Sequence, residues 1–364
     1  MKLKSLPYAV HPRPNPIAAA LYTLRDLNCR HIVLHGPPGC NFRALRLLER
    51  DGVKIFTTSM NDFDVVLGGK QKLLEVLDAV YSDFKPEIIG VVGTCCTTII
   101  GEDLEAEVSE AKIPTKVVCA NVSGCGDNTE GAIRVVESAF KLGIIDKEEL
   151  ERQTRILKRA SKVERERGVA IPGYIAPTPG DDVREVAKEL IEKLQDGLLV
   201  ILNAKKETAY LYADIILAIN NANKKLGGDF SVIANLEDSR GLPKVREDAR
   251  NVLKQLSENG VEVDHFSGSL DEYAYSADKA LELAKSFDYS SAIILGIPQA
   301  LKPTIFKYSV GVSSGERTMT RLRELGYQRA VNEEGAHVNV LGKKEIVRSH
   351  LGNAIRSLCG SPEF

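Results

Sequence analysis

Tryptophan is absent from this chain of 364 residues, methionine occurs 3 times, and aromatic residues make up 6% of it. With abundant Glu, Lys and Ile, that composition is compatible with a heat-adapted protein. An excess of either charge is also missing, since 48 basic residues face 50 acidic ones for a formal charge of −2. Such a balance excludes the basic footprint by which nucleic-acid binders are recognised. No segment approaches the run of about 18 apolar residues that a membrane-spanning helix needs. The opening MKLKSLPYAVHPRPNP has no apolar stretch of signal-peptide length. A soluble, cytoplasmic protein with no membrane partner is expected. The same Pro-rich opening reads as an extended arm that carries His11 and Arg13 toward a partner or ligand. There is no repeat of fixed period and no low-complexity tract.

What is present is a chain too long for one ordinary core, so two or three domains are expected. Apolar, β-branched runs at 31–34, 53–57, 88–92 and 115–119 alternate with segments of helical spacing at 17–27, 42–50, 73–80, 102–111 and 129–142. That alternation is the signature of a parallel sheet covered by helices, an α/β fold of Rossmann-like domains. From Lys147 to Arg167 the chain is dense in charge, with only Leu150, Leu157, Ala160 and Val163 as an apolar stripe, and reads as an exposed bridging helix. The loop Pro172–Gly180 reads as a linker. Strands at 198–202, 230–234, 261–266, 291–295 and 329–332 and a last helix at 343–358 follow. The expected division is an N-terminal α/β domain (1–145), a charged helix and linker (146–180), and a C-terminal α/β region (181–364).

The chemistry is expected where strands end. His35-Gly36-Pro37-Pro38-Gly39-Cys40 follows the first strand, and Gly93-Thr94-Cys95-Cys96 follows the strand at 88–92. Open α/β sheets bind ligands beyond the carboxyl ends of their strands, so two thiols at two strand ends can converge on one object. GPPG invites a phosphate-loop reading. The P-loop pattern requires Gly, Lys and Ser/Thr where Asn41, Phe42 and Arg43 stand, which rejects it. Cysteines number 7, at 29, 40, 95, 96, 119, 125 and 359. In a cytoplasmic chain they read as metal-binding, catalytic or buried rather than disulfide-bonded. Side chains of adjacent cysteines at a strand end diverge, so at most one of Cys95 and Cys96 is a ligand. Cys119 reads as packing, Cys125 as a loop cysteine open to a role, and Cys29 and Cys359 as incidental. His35 is placed to orient Cys40 or relay protons, with a structural hydrogen bond as the alternative. Lys205, Lys206 and Arg240 follow strands at positions suited to an anionic ligand, with a solvated surface as the alternative. His265, at a strand end, is a proton-donor candidate.

HGPPGC at 35–40 with CxxxxIGED at 95–103 resembles the paired cluster-binding motifs of nitrogenase component 1 and its relatives, which include the dark-operative protochlorophyllide and chlorophyllide reductases. Across the chain, LPYAVHPRPNPIAAALYTLRDLN, GVVGTCCTTIIGEDL, LNAKKETAYLYAD and EVDHFSGSLDEY resemble the component D family of nickel-sirohydrochlorin a,c-diamide reductive cyclases. The resemblance implies a nitrogenase component 1-like fold in a homodimer, with a 4Fe–4S cluster shared between two subunits. It places the metal ligands at Cys40 and, by the IGED alignment, at Cys95 rather than Cys96. The family's further N-terminal cysteine falls where Pro14 stands, so two ligands per chain imply a cluster on a two-fold axis. A separate nitrogenase iron protein-like ATPase, holding the ATP and Mg, would supply electrons. Ni-sirohydrochlorin a,c-diamide would be reduced and its lactam ring closed on the route to factor 430. His35 and His265 would then be the catalytic candidates, and Lys205, Lys206 and Arg240 the substrate-binding ones. Another nitrogenase-like tetrapyrrole reductase, or an iron–sulfur scaffold or carrier, remains as an alternative.

Overall fold

The structure, a computed structural model, describes residues 14–124 and 127–360. His11, Arg13 and Cys125 therefore lie outside the described residues. The chain divides into two compact units, one within Arg13–Lys158 and the other within Arg159–Phe364. Among the described residues no helix is long and apolar enough to cross a membrane.

The first unit is built on β1 (His31–His35), β2 (Lys54–Thr57), β3 (Ile88–Gly93) and β4 (Lys116–Ala120), all parallel, in the order β2-β1-β3-β4. β3 is buried from Ile89 onward, as its unbroken apolar run demands of a strand covered on both faces. Helices α1 (Pro16–Asp26), α2 (Phe42–Arg50), α3 (Asp62–Leu67), α4 (Lys70–Phe84), α5 (Cys95–Ile100), α6 (Leu104–Ser109) and α7 (Asn128–Lys141) complete it. On α4, Leu73, Leu77 and Val80 recur at i, i+4 and i+7 and bury against Val33, Ile89 and Val91 of the sheet. Burying such a side chain contributes about 1.5–3 kcal/mol. The expected helix at 102–111 shortens to α6, and the separate short helix α5 precedes it. Gly101 at φ +77° ends α5, and the Asp103 carboxylate caps α6 by accepting from Ala106 N–H at 3.2 Å.

The helix α8 (Lys147–Glu166) crosses the division between the units. It is less exposed than its charge implies, because Arg152, Gln153 and Ile156 are buried and Val163 enters the core of the second unit.

The second unit contains β5 (Leu198–Asn203), β6 (Phe230–Ala234), β7 (His265–Phe266), β8 (Ser291–Gly296), β9 (Tyr308–Ser313) and β10 (Arg329–Asn332). They form one parallel sheet in the order β10-β9-β8-β5-β6-β7. Its helices are α9 (Val183–Leu194), α10 (Ala209–Leu226), α11 (Pro243–Glu258), α12 (Tyr273–Ala284), α13 (Glu316–Glu324), α14 (Ala336–Val340) and α15 (His350–Leu358). β7 occupies only the end of the expected strand 261–266. β9 is an additional strand, hidden in sequence because Ser and Gly dilute its apolar signal (YSVGVS). The expected helix at 343–358 shortens to α15. Ser349 caps it by accepting from Gly352 N–H at 2.9 Å, while Ile346 and Val347 N–H groups donate to Gln255 and Tyr210 instead of continuing a helix.

A candidate metal centre at a strand switch point

In the first sheet the chain runs from β1 out to β2, then returns to place β3 on the other side of β1. A crevice between strands that lead in opposite directions is where open α/β sheets take ligands. β1 delivers Gly36–Cys40 to that point and β3 delivers Thr94–Cys96, so Cys40 and Cys95 reach one end of one sheet. Gly36 makes the approach possible, since a Cβ there would lie 2.3 Å from Thr94 Oγ1. Cys95 is the first residue of α5 rather than a loop residue. Its Sγ accepts from the Gly124 N–H at 3.0 Å, and a Cβ on Gly124 would stand 3.0 Å from that sulfur. Cys40 Sγ accepts from Asn41 Nδ2 at 3.6 Å. Asn41 itself sits in the left-handed region, φ 53°, where the turn becomes α2.

The other described thiols differ in environment. Burial pushes Cys29 up to about 12, and it raises Cys119 and Cys359 as well, as expected of thiols that pack rather than ligate. Cys96 is also pushed up, first by desolvation and then by Glu102, Cys40 and Cys95, which shows that these groups share one field.

Behind the thiols stands Glu102, which sequence reasoning passed over although it lies inside the IGED element. Its Oε2 is 3.0 Å from His35 Nε2, and its Oε1 accepts from Gly69 N–H. Its carbonyl accepts from Asn121 Nδ2 at 3.0 Å. One residue thus ties the end of β1, the start of α4 and the end of β4 together. His35 is fully buried, and its Nδ1 lies 3.0 Å from Thr58 Oγ1, which accepts from Gly36 N–H at 3.0 Å. Burial holds the imidazole below its usual pKa, against the pull of Glu102. The network then assigns a neutral ring with its proton on Nε2. His35 therefore braces the Gly36 turn, and the geometry favours the structural alternative over contact with a substrate. Glu107 lies beside this pair, and its carboxyl is pushed up to about 7 by burial first and by Glu102 second.

The helices that follow the thiols, α2 and α5, and the helix α3 packed on α5 carry exposed apolar side chains. Among the described residues, the large apolar side chains with more than half their area exposed are Phe42 (64%), Phe63 (77%), Val66 (80%), Leu67 (82%) and Ile99 (82%). Phe42 opens α2 two residues after Cys40, Ile99 lies one turn beyond Cys95, and α3 carries the other three and packs against α5. An apolar cluster of this kind marks an interaction surface.

The second sheet has its own switch point, between β5 and β8. Lys205 and Lys206 follow β5 and Arg240 follows β6, all at the carboxyl end. The backbone N–H of Lys206 donates to Leu270 and that of Glu237 to Gly268, so these loops and the 267–272 turn are joined. Lys205 Nζ lies 5.6 Å from the centre of the Tyr273 ring. Arg240 is engaged by Glu237 at 2.5 Å and by Glu272 at 4.0 Å. His265 does not join them. It is exposed on the edge strand β7, with its ring edge-on to Phe287 at 5.4 Å.

A cluster bound by thiolates fits what is found at the first switch point. Two soft sulfurs lie at adjacent strand ends, and Gly124 leaves room beside Cys95 that a side chain would fill. Residues 15–271 match the family described as Nitrogenase component 1 type Oxidoreductase. The chain is 45% identical to the Ni-sirohydrochlorin a,c-diamide reductive cyclase complex, component CfbD, of Methanothermobacter thermautotrophicus, over 95% of this chain and 98% of that protein. Proteins of the same name from Methanosarcina acetivorans and Methanocaldococcus jannaschii are 41% and 44% identical, over 96% and 95% of this chain and 97% and 98% of theirs. The chain belongs to the nitrogenase component 1 type oxidoreductases, on the branch that holds the reductive cyclase component CfbD.

Proposed function

We propose that this chain is the catalytic component of an ATP-dependent, nitrogenase-like reductive cyclase. Two copies hold one 4Fe–4S cluster through Cys40 and Cys95 of each and accept electrons from a separate iron protein-like ATPase. Ni-sirohydrochlorin a,c-diamide is reduced and its lactam ring closed, on the route to factor 430. Identity of 45% across nearly the whole chain supports the substrate. The observation that supports the cluster is that Cys40 and Cys95 follow the neighbouring strands β1 and β3 at one end of the sheet, on elements that also carry the most exposed apolar side chains among the described residues.

When bound, the cluster supplies one-electron transfer. The chain supplies the rest. Gly36 and Gly124 let the backbone close on the thiols, while Glu102 and His35 fix the turns that carry them. Four thiolates from two ligands per chain require a two-fold axis, which an isologous apolar face provides. Asn41, Phe42 and Arg43 in place of a phosphate loop leave ATP and Mg to the partner. Lys205, Lys206 and Arg240 meet the carboxylates of the macrocycle at the carboxyl end of the second sheet. His265, on an exposed sheet edge, has no part in this reading.

Anaerobically reconstituted protein tests it by electron paramagnetic resonance, iron content and turnover of the nickel tetrapyrrole. One four-iron cluster per dimer is expected, with turnover only when MgATP, reductant and the iron protein are all present. Iron-free protein, or ATP hydrolysis by this chain alone that is lost on mutating one of its residues, would overturn it. Ready release of the cluster to apo-acceptors without tetrapyrrole binding would instead identify a scaffold.

A further inference from the structure

The chain after β10 returns across the second sheet. β9 and β8 separate β10 from β5, yet His337 on α14 places Nδ1 3.0 Å from Oε1 of Glu207, in the turn that follows β5. Residues 333–340 therefore pass over the carboxyl ends of the strands, the face on which parallel α/β sheets bind ligands. Burial is divided unevenly within the pair. The Glu207 side chain is 4% exposed and the imidazole 41%. The carboxylate sits inside, where α11 and α14 pack on its turn, and the ring lies at the surface. Lys206, adjacent to Glu207, is held at φ 50°, a strained conformation for a residue with a side chain, and such strain gathers at ligand sites.

A carboxylate that accepts from Nδ1–H fixes the imidazole tautomer and puts the ring's lone pair on Nε2, as in carboxylate–histidine–metal triads. Imidazole is also a suitable donor for nickel. We propose that His337 is an axial ligand to the nickel of the bound tetrapyrrole, with Nε2 as donor and Glu207 as the positioning residue behind it. This rests on the reading that the chain binds a nickel tetrapyrrole. Lys205 and Lys206 then hold the macrocycle's periphery while His337 meets its centre.

The test compares Ni-sirohydrochlorin a,c-diamide with the same macrocycle lacking nickel, both titrated into the full-length protein. Wild type is expected to shift the visible bands of the nickel form. His337→Ala should lose that shift and bind the nickel form about tenfold more weakly or worse, with metal-free binding unchanged within about twofold. Free imidazole should restore the shift, and Glu207→Ala should fall between the two proteins. Equal weakening of both macrocycles, or no change in either, overturns the proposal, because a pair that only pins α14 to the turn cannot sense nickel. Wild type that binds neither macrocycle would instead defeat the functional reading on which it rests.

Discussion

Leu67→Asp tests the link between the apolar face and the cluster most directly. Leu67 is 82% exposed on α3, so the substitution leaves no cavity and exposes no core to water. Its effect on the fold of one copy should be within about 0.5 kcal/mol, as for ordinary surface changes. At a two-fold interface the outcome differs. Fully burying a leucine contributes about 1.5–3 kcal/mol, and symmetry counts each substitution twice, giving about 3–6 kcal/mol per dimer. At about 1.4 kcal/mol per decade, that loss corresponds to roughly 10²- to 10⁴-fold in Kd. The introduced carboxylate adds a desolvation cost in the same direction. Sedimentation under anaerobic conditions should therefore find wild-type dimer and variant monomer at micromolar concentration, with the same circular dichroism. The variant should also lose the four-iron signal, because one chain offers Cys40 and Cys95 only. A variant that stays dimeric places the interface elsewhere. A monomer that keeps a full cluster refutes two-fold ligation.

Three further outcomes are expected. Cys40→Ala or Cys95→Ala removes two ligands per dimer and abolishes the cluster, whereas Cys96→Ala and Cys359→Ala keep it. Iron analysis decides, and survival of the cluster in Cys95→Ala but not Cys96→Ala reverses the assignment. Lys205→Ala, and Lys206→Asn to preserve the positive φ, should each weaken tetrapyrrole binding about tenfold or more, since a charge-assisted hydrogen bond contributes about 1.5–3 kcal/mol. The cluster spectrum should be untouched, and unchanged affinity in both moves the pocket away from this turn. Glu107, raised from 4.5 to about 7, keeps a proton in the folded chain that the unfolded chain releases, so it lowers stability as pH rises across that window. Glu107→Gln should match wild type in thermal midpoint near pH 4.5 and exceed it above pH 7, and an equal advantage at both ends would contradict the shift.

Local chemistry was enough to read much of this chain. Unbroken β-branched runs gave β1, β3, β5 and β8 because a strand covered on both faces has no polar side to alternate with. Leu73, Leu77 and Val80 gave α4 through the helical period, and the spacing HGPPGC…CxxxxIGED marked both thiols and the family. Other features depend on partners distant in the chain. β9 is a strand because β8 and β10 pair with it on either side, despite a weak apolar signal of its own. Ile346 and Val347, inside the expected helix, are not helical because Gln255 and Tyr210, far upstream, take their N–H groups. The same is true of the site. Sequence placed Cys40 and Cys95 at strand ends, but the strand order made those ends neighbours. Nothing within Glu102 or Glu207 announces a histidine 67 positions before the one or well over a hundred after the other. A carboxylate's partner is set by which turns the sheet brings together, and periodicity along the chain does not encode that.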